Sequence, residues 1–496
     1  MSDKISLKKM NETSIYVETD RSIAQELSEF FSFYVPGYKF MPAYRNKVWD
    51  GKIRLFNVNN CELPYGLMTY VMNFALKRDY EFEAEPELTK THRFEDDFIM
   101  SFIDSLDLPY NVRDYQFEAV QKALTVNRAI LLSPTGSGKS LIIYILMRFM
   151  LDAQLEEGQK VLVIVPTTSL VEQMYADFEE YAEKDEAFDV RDEVHRIYSG
   201  KPKTNLTENV VITTWQSVYK LPKTWFAQFG AVFGDEVHGF KSKSLTSIMN
   251  KCEVAPYRFG TTGTLDGTQT HKLVLEGLFG RVFNVTTTYD LMAADTLAQL
   301  KIQALVLKYP NDVCKGFGKK KYQDEIDYIV RNEKRNRFIS RLACDQSGNT
   351  LVLFQFVEKH GKVLYDMISN IADEKRKVFF VSGNTETSDR EAIRRITEKQ
   401  KDAIIVASLG TFSTGINIRN LHNIIFASPS KSQIKVLQSI GRGLRKSDDG
   451  RRTTLYDITD DITWKNRKNY AYLHGAERLK IYSREKFDVK LYEIDI

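Results

Sequence analysis

Residues 133–140 read SPTGSGKS and lie between the apolar run Ala129–Leu132 and the apolar run LIIYILMRFM that starts at Leu141. A buried strand, a glycine-rich turn and a helix, in that order, point to a parallel sheet flanked by helices with an anion site at the turn. Gly136 and Gly138 let backbone N–H groups turn inward on a phosphate, and the helix N-terminus behind them carries partial positive charge. Lys139 is spaced to reach the outer phosphates of a nucleotide and Ser140 to hold Mg²⁺, with Pro134, Thr135 and Ser137 completing the loop. Ser133 stands where the usual pattern has glycine, so the match rests on TGSGKS. A plain strand–turn–helix connection would not need a lysine and a hydroxyl at these positions. The loop implies a nucleotide, and what is done with its energy must be read elsewhere in the chain.

At 496 residues the chain exceeds one core, and several domains are expected. A hydrophobic share of 43% and a charged share of 27% are those of a globular protein. Net charge is +3, from 69 basic and 66 acidic residues, so any nucleic-acid surface must be a local patch. Cys61, Cys252, Cys314 and Cys344 are far apart and form no zinc-like spacing, which implies a reduced, cytoplasmic setting. The opening MSDKISLKKM lacks an apolar segment and no run approaches a membrane span, so no membrane partner is expected.

Residues 1–95 read as a small mixed domain. Its segment Tyr38–Phe56 alternates aromatic and basic residues around Asp50-Gly51, a pair that predicts a hairpin turn. Lys39, Arg45, Lys47, Lys52 and Arg54 face one acid, Asp50, while Tyr44 and Trp49 offer flat surfaces. Two readings stand from this segment alone: a phosphate- and base-gripping hairpin, or a hairpin with a solvated basic edge and its aromatics in the core. The acidic stretch Glu81–Asp97 reads as the linker out of this domain.

Over 105–290, short apolar runs alternate with helical periodicity, at Ala129–Leu132, Val161–Val165, Val210–Thr213, Ala231–Gly234 and Arg258–Gly260. A second series over 291–462 comprises Thr350–Phe354, Lys377–Val381, Ala403–Ala407, Asn423–Ala427 and Thr453–Tyr456. It predicts another α/β unit, without a phosphate loop of its own. Residues 463–496 read as a basic C-terminal extension with helical spacing.

At the end of the run AVFG stand Asp235, Glu236, Val237 and His238. A carboxylate at a strand's C-terminal end in the phosphate loop's own sheet is placed to hold Mg²⁺, and Glu236 to orient and deprotonate an attacking water. His238 couples this pair to the fold rather than serving as a ligand. Upstream, Gln116 offers an amide that can pair with adenine, and Arg113 or Tyr115 can stack on the ring. In the second unit, QSIGRGLR puts Arg442 and Arg445 three residues apart on one helix face, beside Gln438. Arginines delivered from a second domain are what a γ-phosphate in a loose transition state needs.

The ordered set of Gln116, SPTGSGKS, VPTTSL, DEVH, TGT at 262–264, STGINI at 413–418 and QSIGRGLR resembles the motif series of superfamily-two DExH helicases. The resemblance covers roughly residues 110–450, and WDGKIRL and TTWQSV narrow it to recombination helicases of T-even bacteriophages. It implies two RecA-like parallel-sheet domains in tandem, a small α+β N-terminal DNA-binding domain and a short helical C-terminal extension. It also implies that Lys139, Ser140, Asp235 and Glu236 serve ATP hydrolysis with Mg²⁺, and that Arg442 and Arg445 act as arginine fingers. Gly415 and Asn417 would sense the nucleotide near its ribose. Thr167, Thr168, Thr213, Trp215, Gln216, Gly383 and Ser408 match positions that grip a nucleic-acid backbone, and the N-terminal segment gains weight as a duplex contact. The implied activity is unwinding or migration of branched DNA by a monomer that works with replication or recombination proteins. TGT stands where many relatives carry SAT, which leaves the coupling of hydrolysis to strand movement open. An RNA-directed ATPase, or a passive annealing protein with a vestigial ATP site, are the alternatives.

Overall fold

The computed structural model describes residues 3–198, 200–240, 242–265, 268–297, 299–317, 320–411, 420–428 and 452–496. The chain divides into two compact units, Met1–Ser133 with Gly138–Val285, and Pro134–Ser137 with Thr286–Ile496.

The first unit opens with a four-stranded mixed sheet in the order β5-β2-β1-β6 and a separate pair β3-β4. Its strands are β1 (Lys4–Lys9), β2 (Ser14–Thr19), β3 (Ser32–Tyr34), β4 (Lys52–Arg54), β5 (Glu62–Pro64) and β6 (Glu81–Ala84). Alternation drives it: Ile5, Leu7, Ile15 and Val17 point into a core shared with Leu27, Phe31, Phe56, Leu63 and Phe74, and Lys4 and Lys8 point out. The helices Arg21–Phe30 and Met68–Leu76 cover that core, which gives the expected α+β domain.

Two expectations are corrected here. Asp50-Gly51 is not a two-residue hairpin turn, because β4 pairs antiparallel with β3 and a loop over 35–51 lies between them. Pro42 starts a short helical turn, Pro42–Arg45, inside that loop, and Gly51, at φ 85°, returns the chain to β4. The apolar partner, Phe33, lies outside the segment whose basic alternation draws the eye. The acidic stretch after residue 80 is only partly a linker, because β6 joins the sheet parallel to β1. Its Glu83 pairs with Lys4 at 2.8 Å, so acids that suggest a linker are the outer row of a strand.

This domain is fixed to the sheet that follows. Glu12 forms a half-buried ion pair with Arg128, whose guanidinium also donates to the Glu12 carbonyl at 2.9 Å and lies 4.1 Å from the Tyr65 ring. Tyr70 donates its hydroxyl to the buried Glu276 carboxylate at 2.6 Å. A Cβ at Gly66 would come within 1.9 Å of the Glu276 carbonyl oxygen, so only glycine permits this approach.

The sheet that follows has seven strands in the order β13-β7-β12-β11-β8-β10-β9, all parallel. They are β7 (Arg128–Leu132), β8 (Lys160–Val165), β9 (Val194–Ile197), β10 (Val210–Thr214), β11 (Phe229–Asp235), β12 (Tyr257–Thr262) and β13 (Val282–Asn284). The helix Lys139–Ala153 buries every residue from Leu141 to Met150, because the sheet covers one side of it and the helices Asp114–Val126 and Thr168–Tyr181 pack on the others.

The second unit contains another wholly parallel seven-stranded sheet, in the order β16-β17-β15-β18-β19-β14-β20. Its strands are β14 (Leu300–Lys308), β15 (Thr350–Phe354), β16 (Val378–Val381), β17 (Ile404–Ser408), β18 (Asn423–Phe426), β19 (Thr453–Asp461) and β20 (Asp488–Asp495). Residues 463–496 are therefore not a helical appendage. The helix Tyr470–Arg484 is present, but β20 then adds to β14 as the sheet's edge. The helix is anchored by Arg478, only 1% exposed, whose guanidinium donates to Asp457 at 2.7 and 2.9 Å.

Candidate nucleotide site and nucleic-acid surface

The phosphate loop leaves β7 through Ser133, which is fully buried and donates its backbone N–H to the Thr262 carbonyl of β12 at 2.9 Å. Its own carbonyl accepts the Lys139 ammonium at 3.2 Å, so the residue that replaces glycine belongs to the strand end and leaves the turn intact. Gly136 and Gly138 have φ of 85° and 81°, the left-handed conformation that the turn requires. Ser137 is buried and bonds the Pro134 carbonyl at 2.8 Å. Gln116 is also buried; its carbonyl oxygen accepts the Arg113 backbone N–H at 3.0 Å, and a Cβ at Gly138 would meet its Nε2 at 2.3 Å. The amide expected to read adenine thus caps its own helix, Asp114–Val126, and lies against the phosphate loop. Arg113 donates to the Tyr115 hydroxyl at 3.0 Å.

Asp235 ends β11, nearly buried, and accepts the Thr261 hydroxyl of β12 at 2.8 Å. Glu236 then adopts φ 51°, a left-handed turn that points its carboxylate back to the same strand ends. Thr262 donates to Glu236 at 3.3 Å, and His238 Nδ1 lies 3.2 Å from Glu236 and 3.0 Å from Thr262 Oγ1. DEVH and TGT are therefore one hydrogen-bonded cluster, with His238 joining them as expected. Burial, and after it the Glu236 charge, push the Asp235 carboxyl up, with Lys139 acting in the opposite sense. Burial also resists the Glu236 charge, but His238, Lys139 and Thr262 outweigh it and hold this carboxyl down. Two adjacent carboxylates, Asp235 buried and Glu236 half-buried, create a demand for positive charge at this edge of the sheet.

That demand fits Mg²⁺. Ser140 and Asp235 supply hard oxygen donors, and among the described residues no group of three or more His, Cys, Asp or Glu forms a closed cage. Mg²⁺ is held by one or two protein oxygens together with phosphate and water, whereas zinc requires a fuller protein set. The structure also adds a residue that no motif announces: Tyr181, whose hydroxyl lies 2.9 Å from Ser140 Oγ. It ends the helix Thr168–Tyr181, and only helix packing brings it to the loop.

Of the positions matched to a nucleic-acid backbone, Thr167 caps that helix, accepting Leu170 N–H at 3.4 Å, and Thr168 is exposed beside it. Gln216 is exposed and Trp215 half-buried, edge-on to Tyr219 at 5.8 Å. Thr213 differs: it is fully buried, and its hydroxyl donates to the Ile197 or Thr214 carbonyl, both at 3.1 Å. It is a sheet residue here, because the alternation of a fully buried strand leaves no solvent face. In the second unit Gly383 is exposed after β16, and Ser408, at the end of β17, bonds Thr411 Oγ1 at 2.6 Å. Gly415, Asn417, Gln438, Arg442 and Arg445 lie outside the described residues.

In the loop over 35–51, Arg45 and Lys47 are exposed and line a cleft of about 520 Å³ with Lys39, Tyr44 and Trp49. Lys52 Nζ sits 5.0 Å from the centre of the Tyr34 ring, Arg54 pairs with Asp50, and Trp49 donates to the Lys52 carbonyl at 2.8 Å.

Comparison with known proteins agrees with this arrangement. Three family models match in sequence order: the UvsW DNA helicase N-terminal domain over residues 4–85, the res subunit of type III restriction enzymes over 109–267, and the helicase conserved C-terminal domain over 333–447. The ATP-dependent DNA helicase uvsW of Enterobacteria phage T4 is 35% identical over 503 residues, covering 97% of this chain and 98% of that protein. The DNA 3'-5' translocase XPB2 of Sulfurisphaera tokodaii is 25% identical, covering 70% of this chain and 82% of its own. The crystal structure of T4 UvsW superposes with a TM-score of 0.52 at 33% identity, covering 99% of each chain. The DNA-bound type ISP restriction-modification enzyme LlaBIII, at 16% identity, shares the fold with a TM-score of 0.57 over 85% of this chain and 34% of its own.

Proposed function

The chain belongs to the UvsW family of ATP-dependent DNA helicases, and from that premise we propose that it unwinds or branch-migrates forked and four-way DNA. The observation that carries the chemistry is the Asp235–Glu236 pair at the end of β11, held by hydrogen bonds from Thr261 and Thr262 and by His238, beside the phosphate loop that carries Lys139. Lys139 binds the outer phosphates of ATP, while the backbone N–H groups of residues 134–138 close on them. Ser140 and Asp235 would hold Mg²⁺, which would supply positive charge to neutralise phosphate oxygens. Glu236 orients the attacking water and takes its proton, and His238 and Thr262 fix the carboxylate for that transfer. Gln116 sets the loop's position through Gly138. The arginine-finger roles of Arg442 and Arg445, beside Gln438, and the ribose-sensing roles of Gly415 and Asn417 rest on their motifs.

DNA is held without sequence reading. Thr167, Thr168, Trp215 and Gln216 would meet the backbone in the first unit and Gly383 in the second, whereas the buried Ser408 hydroxyl is already bonded to Thr411. Arg45 and Lys47, with Trp49, Lys52 and Arg54 shaping the loop around them, add duplex phosphates at the N-terminal domain. The reading extends to a monomer at work in the host cytoplasm, with partners in phage replication, recombination and repair.

The test is hydrolysis and strand separation over single-stranded, forked and four-way DNA and RNA of equal length. Forked and four-way DNA should stimulate hydrolysis most. Stimulation by RNA that equals or exceeds it would move the assignment to an RNA-directed motor, and DNA-independent turnover with no strand separation would remove the helicase reading.

A further inference from the structure

Among the described residues, the large hydrophobic side chains most open to solvent are Val48, 81% exposed, and Phe40, 77% exposed. Both stand on the loop over 35–51, and neither contributes to a core of this protein. Contacts within the loop define its shape. Tyr38 stacks on Tyr34 with ring centres 4.6 Å apart and meets Tyr44 edge-on at 4.8 Å. The Val35 N–H donates to the Gly51 carbonyl at 2.9 Å, which closes the base of the loop. An outward Phe and Val on one loop leave apolar surface in water that a partner with an apolar face would cover.

The surrounding charge says which partner. Lys39, Arg45 and Lys47 are exposed on the same loop, while its acid, Asp50, is tied to Arg54 and to the Lys52 backbone N–H. The complement is a body with negative charges flanking a flat apolar face, and nucleic acid has that layout. In an intact duplex the base faces are covered by stacking. At a branch point the terminal base pairs of the arms are open.

We propose that Phe40 and Val48 form an apolar cap that stacks on bases exposed at a DNA branch point, while Lys39, Arg45 and Lys47 hold the flanking phosphates. The proposal rests on the branched-DNA reading above and gives that reading its source of selectivity. A cationic loop alone binds any duplex; the cap rewards only a site where stacking is interrupted.

The experiment compares the wild type with the Phe40→Ala, Val48→Ser double variant and with Phe40→Trp. Binding is measured to a three-way fork carrying 2-aminopurine at the branch and to a hairpin-closed duplex without ends. Loss of one stacked base corresponds to about tenfold weaker fork binding, with the 2-aminopurine response abolished and closed-duplex affinity unchanged. Phe40→Trp should keep fork binding, and the melting temperatures should coincide because neither side chain is buried. Equal losses on both substrates would make the pair a general contact and overturn the cap. A fork preference that survives in the double variant would overturn the cap while leaving the branched-DNA reading in place. A wild type with no fork preference would overturn both. Anionic phospholipid vesicles that bind the wild type more tightly than the fork does, and lose it in the double variant, would reassign the patch to a membrane surface and overturn the proposal.

Discussion

Buried carboxylates stand on strands of both parallel sheets, but they are neutralised in opposite ways. In the second sheet, Asp460 of β19 accepts Arg335 Nε at 2.6 Å and the Tyr309 hydroxyl at 2.9 Å, and Asp457 accepts Arg478 and the Tyr482 hydroxyl at 2.8 Å. Each acid has its own buried guanidinium. In the first sheet, Asp235 has a threonine hydroxyl, a like-charged neighbour and a lysine that also acts on that neighbour. A carboxylate closed off by arginine and tyrosine holds a fold together, and a carboxylate left short of cations can act on an arriving nucleotide. Where the charge deficit sits is therefore a better guide to the working edge than burial alone.

The largest effect that would test this contrast is expected at Lys139. Lys139→Ala removes the cation that both first-sheet acids share, and steady-state hydrolysis should fall by on the order of 10²–10³-fold. DNA binding in a mobility-shift assay should persist, and near-normal turnover would break the comparison at its root. The converse holds for Arg335. Arg335→Met leaves Asp460 buried without its ion pair and should cost about 3–5 kcal/mol, read as a lower calorimetric transition of the second unit. Pairing it with Asp460→Asn should recover most of the loss; an Arg335→Met protein as stable as the wild type would mean these pairs are not structural.

A smaller effect is expected from Tyr181→Phe, which keeps the ring against Tyr144, 5.5 Å away, and removes only the hydroxyl near Ser140. One such hydrogen bond contributes about 0.5–1.5 kcal/mol, so the Mg²⁺ needed for half-maximal nucleotide binding should rise about two- to tenfold. An unchanged Mg²⁺ dependence would return Tyr181 to plain packing. The mildest change belongs to charge that is neither buried nor shared. Arg45→Ala with Lys47→Ala should make the salt dependence of duplex binding shallower by about 2 in log–log slope. A constant slope would detach those side chains from DNA phosphates.

The chemistry was more legible than the architecture because the two are written at different ranges. TGSGKS and DEVH place their groups within a few residues of one another, and the central strands β8, β10 and β11 are buried on both faces, so they read as plain apolar runs. The edge strands are short or polar. The sequence VHRI of β9, the acidic face of β6 and the charged alternation of β20 resemble loop, linker and tail until a neighbour pairs with them. Site residues failed in the same way when their placement depended on the whole fold. Thr213 matches a motif position yet lies inside a fully buried strand. Tyr181 matches no motif and reaches Ser140 from the far end of a helix. In the loop over 35–51, Asp50-Gly51 has turn chemistry, but the strand that pairs with β4 lies on the far side of a helical turn.

The joint between the N-terminal domain and the first sheet has a mechanical consequence. Glu12 with Arg128, Tyr70 with Glu276, and the bare backbone of Gly66 against residue 276 tie the two at several points. The N-terminal core and the first parallel sheet are thereby expected to move as one body, so a substitution at this joint, such as Gly66→Ala, would loosen the domain while leaving the phosphate loop intact.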